Sequence, residues 1–311
     1  MLPSLLFSRL SEFLSTDDIE LVKQWFQEKR VTSFRTNLLK STDAEIENFL
    51  RANSIEFRRV SWLPSAFVID KKDEYWLKGS DIYYSGKIYV QGLASQIPPH
   101  FLGLEKWMKV LDVTAAPGSK TSQISALLEN TGEVVACEKH QIRYDKLVHN
   151  LKLQDCTNVA TLKMEAEKLE TKYENGHFDA ILLDAPCSVE GRIYEPNEKS
   201  YGFWTTANIT RNSTAQWNLI EKVLPLLKWG GVFVYSTCTL APEENEAHLA
   251  RILKRYPGQF ELEKAWVDSL YSREGIEEFE GKIFWEEMKK TLRLLPSRES
   301  EGFFIAKLKK L

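Results

Sequence analysis

The sequence predicts an α/β fold: a doubly wound, mostly parallel sheet with a smaller α+β domain in front of it. Two observations carry this. From Trp107 onward, apolar runs of strand length alternate with segments of helical periodicity, the signature of a parallel sheet covered on both faces. Before residue 100 the order is instead helix, strand, helix, strand, so the boundary falls there and divides residues 1–100 from 101–311. At 311 residues the chain can hold one domain of ordinary size and a smaller companion.

The elements follow in order. In MLPSLLFSRLSEFLSTDD the apolar residues fall at helical spacing broken by Ser, Arg and Glu, which fits a packed amphipathic helix rather than a signal segment. SFRTN reads as a strand, STDAEIENFLRANS as a helix opened by a Thr42/Glu45 capping box, and EFRRVSWLPSAFVID as a strand. QGLASQIPPHFLG is a further helical segment leading toward Lys109. WMKVLDV, GEVVACE, NVATLKM, FDAILLDA and GVFVYSTC then supply strands, separated by the helical SQISALLE, IRYDKLVHNLKLQ and TAQWNLIEKVLPLLK; ENEAHLARILKRY is a last helix and GFFIAKLKK a last strand. The polar stretch from about Val189 to Thr214 is the longest irregular piece, and such loops in compact domains are functional or mobile.

Composition narrows the function classes. Hydrophobic residues at 43% and charged residues at 27% match ordinary globular chains and exclude disordered or fibrous ones. No run approaches a membrane span, and a chain without a signal is expected in the cytoplasm, with its four cysteines reduced. The net charge of -3 is not the basic excess usual for nucleic-acid binders. Local basic stretches exist in EKRVTSFRTNLLK, RANSIEFRRV, KKTLRLLPSR and KLKKL, although solvated faces look the same.

WMKVLDV runs into the turn TAAPGSKT and a helix, the place where a doubly wound sheet binds a nucleotide-like ligand. A dinucleotide fingerprint needs three glycines and only Gly118 is present; a P-loop fails because Val113 and Ser119 stand where its glycines belong, although Lys120 and Thr121 fit its end. S-adenosylmethionine carries no phosphates, so its loop requires only a tight turn, which Pro117 and Gly118 can make. Glu138, Glu165 and Asp184 read as the ends of three successive strands on that edge, with Glu138 suited to the ribose hydroxyls and Glu165 to the adenine amino group.

Two cysteines, Cys187 and Cys238, sit at strand ends on the same edge, whereas Cys137 reads as core and Cys156 as part of a polar turn. With no CxxC pair, no metal site is expected. Crevice thiols point to methylation at a pyrimidine 5-carbon. That atom is a poor nucleophile until a thiolate adds at the 6-carbon, while nitrogen and oxygen methylations need no thiol. An ordinary thiol is only about 3% ionised at pH 7. Lys120 and the N-terminus of the helix after Pro242 are candidates to favour the thiolate, opposed by Glu243 and Glu244. Chemistry alone does not order the two cysteines.

DVTAAPGSKT, LLDAPCS and VYSTCTLAPEENE resemble the motifs of the Nop/Sun RNA (cytosine-5)-methyltransferases, and within them the bacterial 16S ribosomal RNA enzymes of the F type, over roughly residues 30–311. The resemblance implies a Rossmann-like class I methyltransferase domain that takes S-adenosylmethionine at Thr114, Ala115, Ala116, Pro117, Gly118, Ser119, Lys120, Glu138, Arg143, Glu165 and Asp184. It implies that Cys238 is the nucleophile, that Cys187 assists release of the methylated base, and that Lys120 and Asp184 hold and polarise the cytosine ring. The implied partner is RNA, ribosomal rather than transfer, with no membrane and no metal and with the protein a monomer. The N-terminal domain would position that RNA through Arg30, Arg35, Arg58 and Arg59. The chain departs from the pattern at Val189, where many members have glycine, at Glu138 and Glu165, where they have aspartate, and in TCT for TCS. It also ends after its last expected strand, without the C-terminal RNA-binding domains of the F-type enzymes. Two other readings are a DNA cytosine methyltransferase, which does not require the second thiol, and a catalytically silent ribosome-assembly factor that keeps the fold.

Overall fold

The computed structural model describes residues 2–311. Helices α1 (Ser4–Leu10) and α2 (Thr16–Gln27) open the chain, the second capped by the Ser15 side chain, which accepts the Asp18 amide. An antiparallel sheet follows, built from β1 (Thr32–Thr36), β2 (Phe57–Arg59), β3 (Ala66–Ile69) and β4 (Ile88–Val90) in the order β2-β3-β1-β4. Helix α3 (Asp43–Ala52) carries both halves of the expected capping box, with the Glu45 amide donating to Thr42 Oγ1 and the Thr42 amide to Glu45 Oε2. The short α4 (Glu74–Lys78) and α5 (Asp81–Tyr84), with β4 after them, had no clear periodic signal. Phe34, Ile46, Leu50 and Phe67 form this sheet's own core, the Phe34 and Phe67 rings stacking at 5.3 Å.

EFRRVSWLPSAFVID is a hairpin and not one strand. Pro64 and the left-handed Ser65 (φ 56°) reverse the chain so that Phe57 pairs with Ile69 and Arg59 with Phe67.

Helix α6 (Leu93–Gln96) and a 3-10 turn at Pro98–Leu102 lead into the larger sheet. Its first half contains β5 (Lys109–Asp112), α7 (Ser119–Leu127), β6 (Glu133–Cys137), α8 (Gln141–Leu153) and β7 (Val159–Leu162). Its second half contains β8 (Phe178–Asp184), α9 (Thr206–Val223), β9 (Leu227–Thr237) and α10 (Glu246–Arg255). The C-terminal strands are β10 (Phe260–Glu263), β11 (Ser272–Glu274), the separate β12–β13 hairpin (Glu278–Phe279 and Lys282–Ile283), β14 (Leu292–Leu294) and β15 (Phe303–Lys310). The order is β11-β14-β15-β9-β8-β5-β6-β7, with β10 also on β15. From β9 to β7 all pairs are parallel, and the C-terminal strands join antiparallel.

Side chains alternate along each parallel strand. Leu111, Val135, Ile181, Leu183 and Phe233 face the layer that holds Trp217, Ile220 and Leu249, while Val110, Val134, Ala180, Leu182 and Val234 face the layer of Ile124 and Leu128. Both faces are therefore buried, which is why the strands read as continuous apolar runs. The chain winds from β5 toward β7 on one side and toward β9 on the other, and that reversal leaves a crevice at the carboxyl ends of β5 and β8.

Leu6, Leu10, Val22 and Phe26 of the opening helices pack with Ile193, Tyr201, Trp204 and Ile209, so the irregular stretch after Val189 is anchored by the start of the chain. Helix α9 begins at Thr206, ahead of the expected Thr214, because Thr205 caps the Asn208 amide. No helix among the described residues is long and apolar enough to cross a membrane.

Candidate active site

The turn after β5 places Thr114, Ala115, Ala116, Pro117, Ser119 and Lys120 along one wall of a cleft of about 540 Å³, a size that suits a small cofactor. Gly118 makes the turn possible: its φ is 102°, and a Cβ there would approach Leu147 Cδ1 to 3.1 Å. Arg143, from α8, closes the wall by donating to the Ala116 carbonyl at 2.9 Å and pairing with Glu138 Oε2 at 3.3 Å. Glu138 is buried immediately after β6, and its Oε1 accepts the His140 amide at 2.8 Å. Backbone approach, a carboxylate and a guanidinium on this edge fit the amino-acid and ribose ends of S-adenosylmethionine.

Asp184 ends β8 at the centre of the cleft. Its Oδ2 takes Lys120 Nζ at 2.6 Å, its Oδ1 takes Ser236 Oγ at 2.9 Å, and its carbonyl takes Thr114 Oγ1 at 2.8 Å. Lys120 is almost fully buried and donates also to Ser95 Oγ at 2.7 Å, so the pair is fixed from α6 as well. Beneath it Asp112 accepts Thr121 Oγ1 at 2.7 Å, and burial pushes its carboxyl up to about 6.

The two thiols lie beyond Asp184, with Cys187 Sγ 3.4 Å from Cys238 Sγ. The contact with Cys238, together with burial and the nearby Glu244 carboxylate, raises the Cys187 thiol well above its ordinary value. The groups expected to favour a thiolate are otherwise engaged. Lys120 serves Asp184, and the segment after Pro242 is a 3-10 turn whose Glu244 accepts the Ser188 amide at 3.0 Å. Burial pushes Glu244 up to about 8. Two cations lie near the thiols, Arg30 and Arg192, and the second left no sign in the sequence. It follows Gly191, whose amide donates to the Cys238 carbonyl at 3.0 Å, and Gly191 has no room for a side chain against the Gly302 carbonyl. Arg192 is exposed at the cleft, and although neighbouring atoms partly desolvate it, Cys238, Glu301 and Asp184 hold its guanidinium above the ordinary value.

Of the expected site residues, Thr114 to Pro117, Ser119, Lys120, Arg143, Asp184, Cys187 and Cys238 line one cleft. Gly118 and Glu138 support the wall from behind. Glu165 is not brought in: β7 ends at Leu162, and Glu165 lies three residues further, half exposed and paired with Lys168 at 2.7 Å. Gln91, Ser95, Glu301 and Phe303 line the cleft without having been anticipated. Glu301 left a signal, an acidic residue just before a strand that begins at the same edge. Ser95 and Gln91 left none, since they arrive from the segment between β4 and the 3-10 turn at Pro98–Leu102. Among the described residues no group of three or more His, Cys, Asp or Glu could hold a metal.

The expected RNA-facing arginines divide. Arg35 is a buried tie that donates to Gln91 Oε1, the Ser119 carbonyl and Ser122 Oγ, so the expectation of an RNA contact there gives way to a structural role. Arg30 is partly buried on the Gly191 and Ser300 carbonyls. Arg58 and Arg59 are half exposed but paired with Glu299 and Asp43.

A doubly wound sheet with this strand order and this cleft at its switch point defines a class I S-adenosylmethionine-dependent methyltransferase. The chain belongs to the 16S rRNA methyltransferase RsmB/F family, whose model matches residues 100–309. It is 32% identical to a tRNA (cytosine(49)-C(5))-methyltransferase of Pyrococcus abyssi over 97% of this chain and 95% of that protein. It is 34% identical to the ribosomal RNA small subunit methyltransferase F of Aeromonas salmonicida, over 89% of this chain but only 57% of that protein. Among solved structures, a methyltransferase homolog from Pyrococcus horikoshii superposes with a TM-score of 0.87 at 30% identity, covering 100% of this chain and 96% of that one.

Proposed function

We propose that this protein transfers a methyl group from S-adenosylmethionine to the 5-carbon of cytosine in RNA through a covalent cysteine adduct. The observation that carries the reading is the pair of thiols 3.4 Å apart beside the Asp184–Lys120 pair. We assign attack at the 6-carbon to Cys238, since the contact with its neighbour and burial disfavour a thiolate at Cys187. Asp184 and Lys120 hold the polar edge of the ring, so that charge building up on it during attack meets the Lys120 ammonium. The cofactor supplies the electrophilic methyl, and Thr114 to Lys120, Glu138, Arg143 and Asp184 form its wall. Once the 5-carbon is methylated, its proton leaves to a base and the Cys238–carbon bond breaks, with Cys187 assisting release. Arg58 and Arg59 on the N-terminal domain, which we assign to residues 1–100, are the surface cations offered to the RNA backbone.

Ribosomal RNA is the substrate we favour, in the cytoplasm and with the protein acting as a monomer. Transfer RNA is the second reading, because the tRNA-modifying relative matches over 97% of this chain. To test the reading, the protein is incubated with tritium-labelled S-adenosylmethionine and transcripts of small-subunit ribosomal RNA and of transfer RNA, and the digested nucleosides are separated. Label in 5-methylcytidine is expected; label at another atom, or none in either RNA, overturns the reading.

A further inference from the structure

Glu301 lies just ahead of β15, the strand that pairs with β9 so that Phe304 faces Thr237. This antiparallel pairing returns the chain to the carboxyl edge of the sheet beside Cys238, and Glu301 lines the same cleft as Cys238, Asp184 and Lys120. Glu301 is only 9% exposed. Among the described residues no donor lies within hydrogen-bond or ion-pair reach of its carboxylate. Arg30 and Arg192 feel its charge without forming an ion pair with it, and on another side stands the bare Cα of Gly92, where a Cβ would come within 2.5 Å of Oε2 and 2.9 Å of Oε1. Its oxygens are not sealed away but open into the cleft, where a donor on the substrate can complete them.

We propose that Glu301 is a specificity residue that accepts a hydrogen bond from the exocyclic 4-amino group of the target cytosine. This deepens the cytosine reading above and rests on it. The 4-amino group has two hydrogens and is fully satisfied only by two acceptors. Asp184 is one of them, but its two oxygens already take Lys120 and Ser236. Glu301 supplies the other. Uracil presents a carbonyl oxygen at the same position, which would lie against a carboxylate with no hydrogen between them. The site therefore rejects uracil as well as welcoming cytosine.

The test uses transcripts of small-subunit ribosomal RNA and transfer RNA in which every cytosine, or every uracil, carries fluorine at the 5-carbon. After attack and methyl transfer no 5-proton is left to remove, so the protein–RNA bond persists through a denaturing gel. The unmodified protein should trap fluorocytosine RNA and not fluorouracil RNA. Glu301→Ala, which removes the acceptor that Gln would keep, should slow trapping of fluorocytosine roughly 10- to 100-fold, the loss expected for one hydrogen bond, and narrow the cytosine-to-uracil ratio by at least about tenfold. Gly92→Ala, which displaces the carboxylate without removing it, should narrow the ratio in the same direction and guards against a misfolded Glu301→Ala variant. A ratio unchanged in both variants overturns the proposal, even if both trap more slowly. Adducts with neither transcript from the unmodified protein overturn the cytosine reading itself, and this inference with it.

Discussion

The Sγ atoms of Cys187 and Cys238 lie 3.4 Å apart although 51 residues separate them in the chain. The pairing of β8 with β9 accounts for this: Asp184 stands opposite Ser236 in a parallel register, so the two strands end at the same level. Cys187, three residues past Asp184, and Cys238, two past Ser236, then meet in the turns above them. The geometry at the thiols depends on strand register and on the turn that carries Cys187 back toward β9.

That turn is strained. Val189 adopts φ 55° and ψ 29°, a left-handed conformation that is unfavourable for a β-branched side chain by roughly 1–2 kcal/mol. Val189→Gly removes the clash but adds freedom to the unfolded chain, so the net expectation is stabilisation by about 0.5–1 kcal/mol. Urea unfolding of the two proteins checks it, and a less stable glycine variant would show that Val189 contributes packing worth more than the strain.

Arg293 makes a buried ion pair with Glu246 at 2.5 Å, the two side chains 2% and 0% exposed, and also donates to the Leu240 carbonyl at 2.9 Å. This lies directly under the turn that follows Cys238. Arg293→Ala leaves a carboxylate buried without its partner and should cost about 3–5 kcal/mol. If chemical denaturation gives a loss below about 1 kcal/mol, water or a rearranged neighbour has replaced the guanidinium.

How legible these features were follows from what each depends on. The parallel strands and the helices between them depend on local apolar periodicity, and they were readable. The hairpin at Phe57–Ile69 was not, because its turn lies inside an otherwise apolar run. Arg293 sits in KKTLRLLPSR, which looks like a basic surface, and only the long-range pairing with Glu246 puts it inside. Arg35 misleads in the same way, since its partners Gln91 and Ser122 are 56 and 87 residues away. Cleft residues at strand ends could be found because strand ends are visible in sequence. Arg192 and Ser95 could not, because tertiary approach alone brings them to the site.

Glu244 gives a pH signature. Burial, the largest cause, lifts its carboxyl to about 8 from an unfolded value of 4.5, against the hydrogen bonds from Ser188 and Gln216 that favour the charge. Between these values the folded protein retains a proton that the unfolded chain has released. This contribution to stability is full below about pH 4.5 and falls as pH rises toward 8, by up to about 1.4 kcal/mol per pH unit. Glu244→Gln is neutral in both states, so its stability should decline less than the parent's between pH 5.5 and 8. Parallel curves for the two proteins across that window would mean that Glu244 is already ionised in the fold.

The two thiols give the most discriminating prediction, because each proposed role fails differently. Cys238→Ala removes the group that attacks, so neither methylation nor covalent capture of RNA should occur. Cys187→Ala leaves attack and methyl transfer possible but slows release, so an RNA adduct stable to denaturant should accumulate on natural, unfluorinated RNA. Burial around Cys187 supports this order, since it disfavours a thiolate there. If Cys187 only filled the turn after Pro186, its Ala variant would turn over almost normally and carry no adduct. If the roles were reversed, the Cys238 variant would be the one to trap RNA. Denaturing gels of the two single variants distinguish the three cases, and an adduct on Cys238→Ala would reverse the assignment.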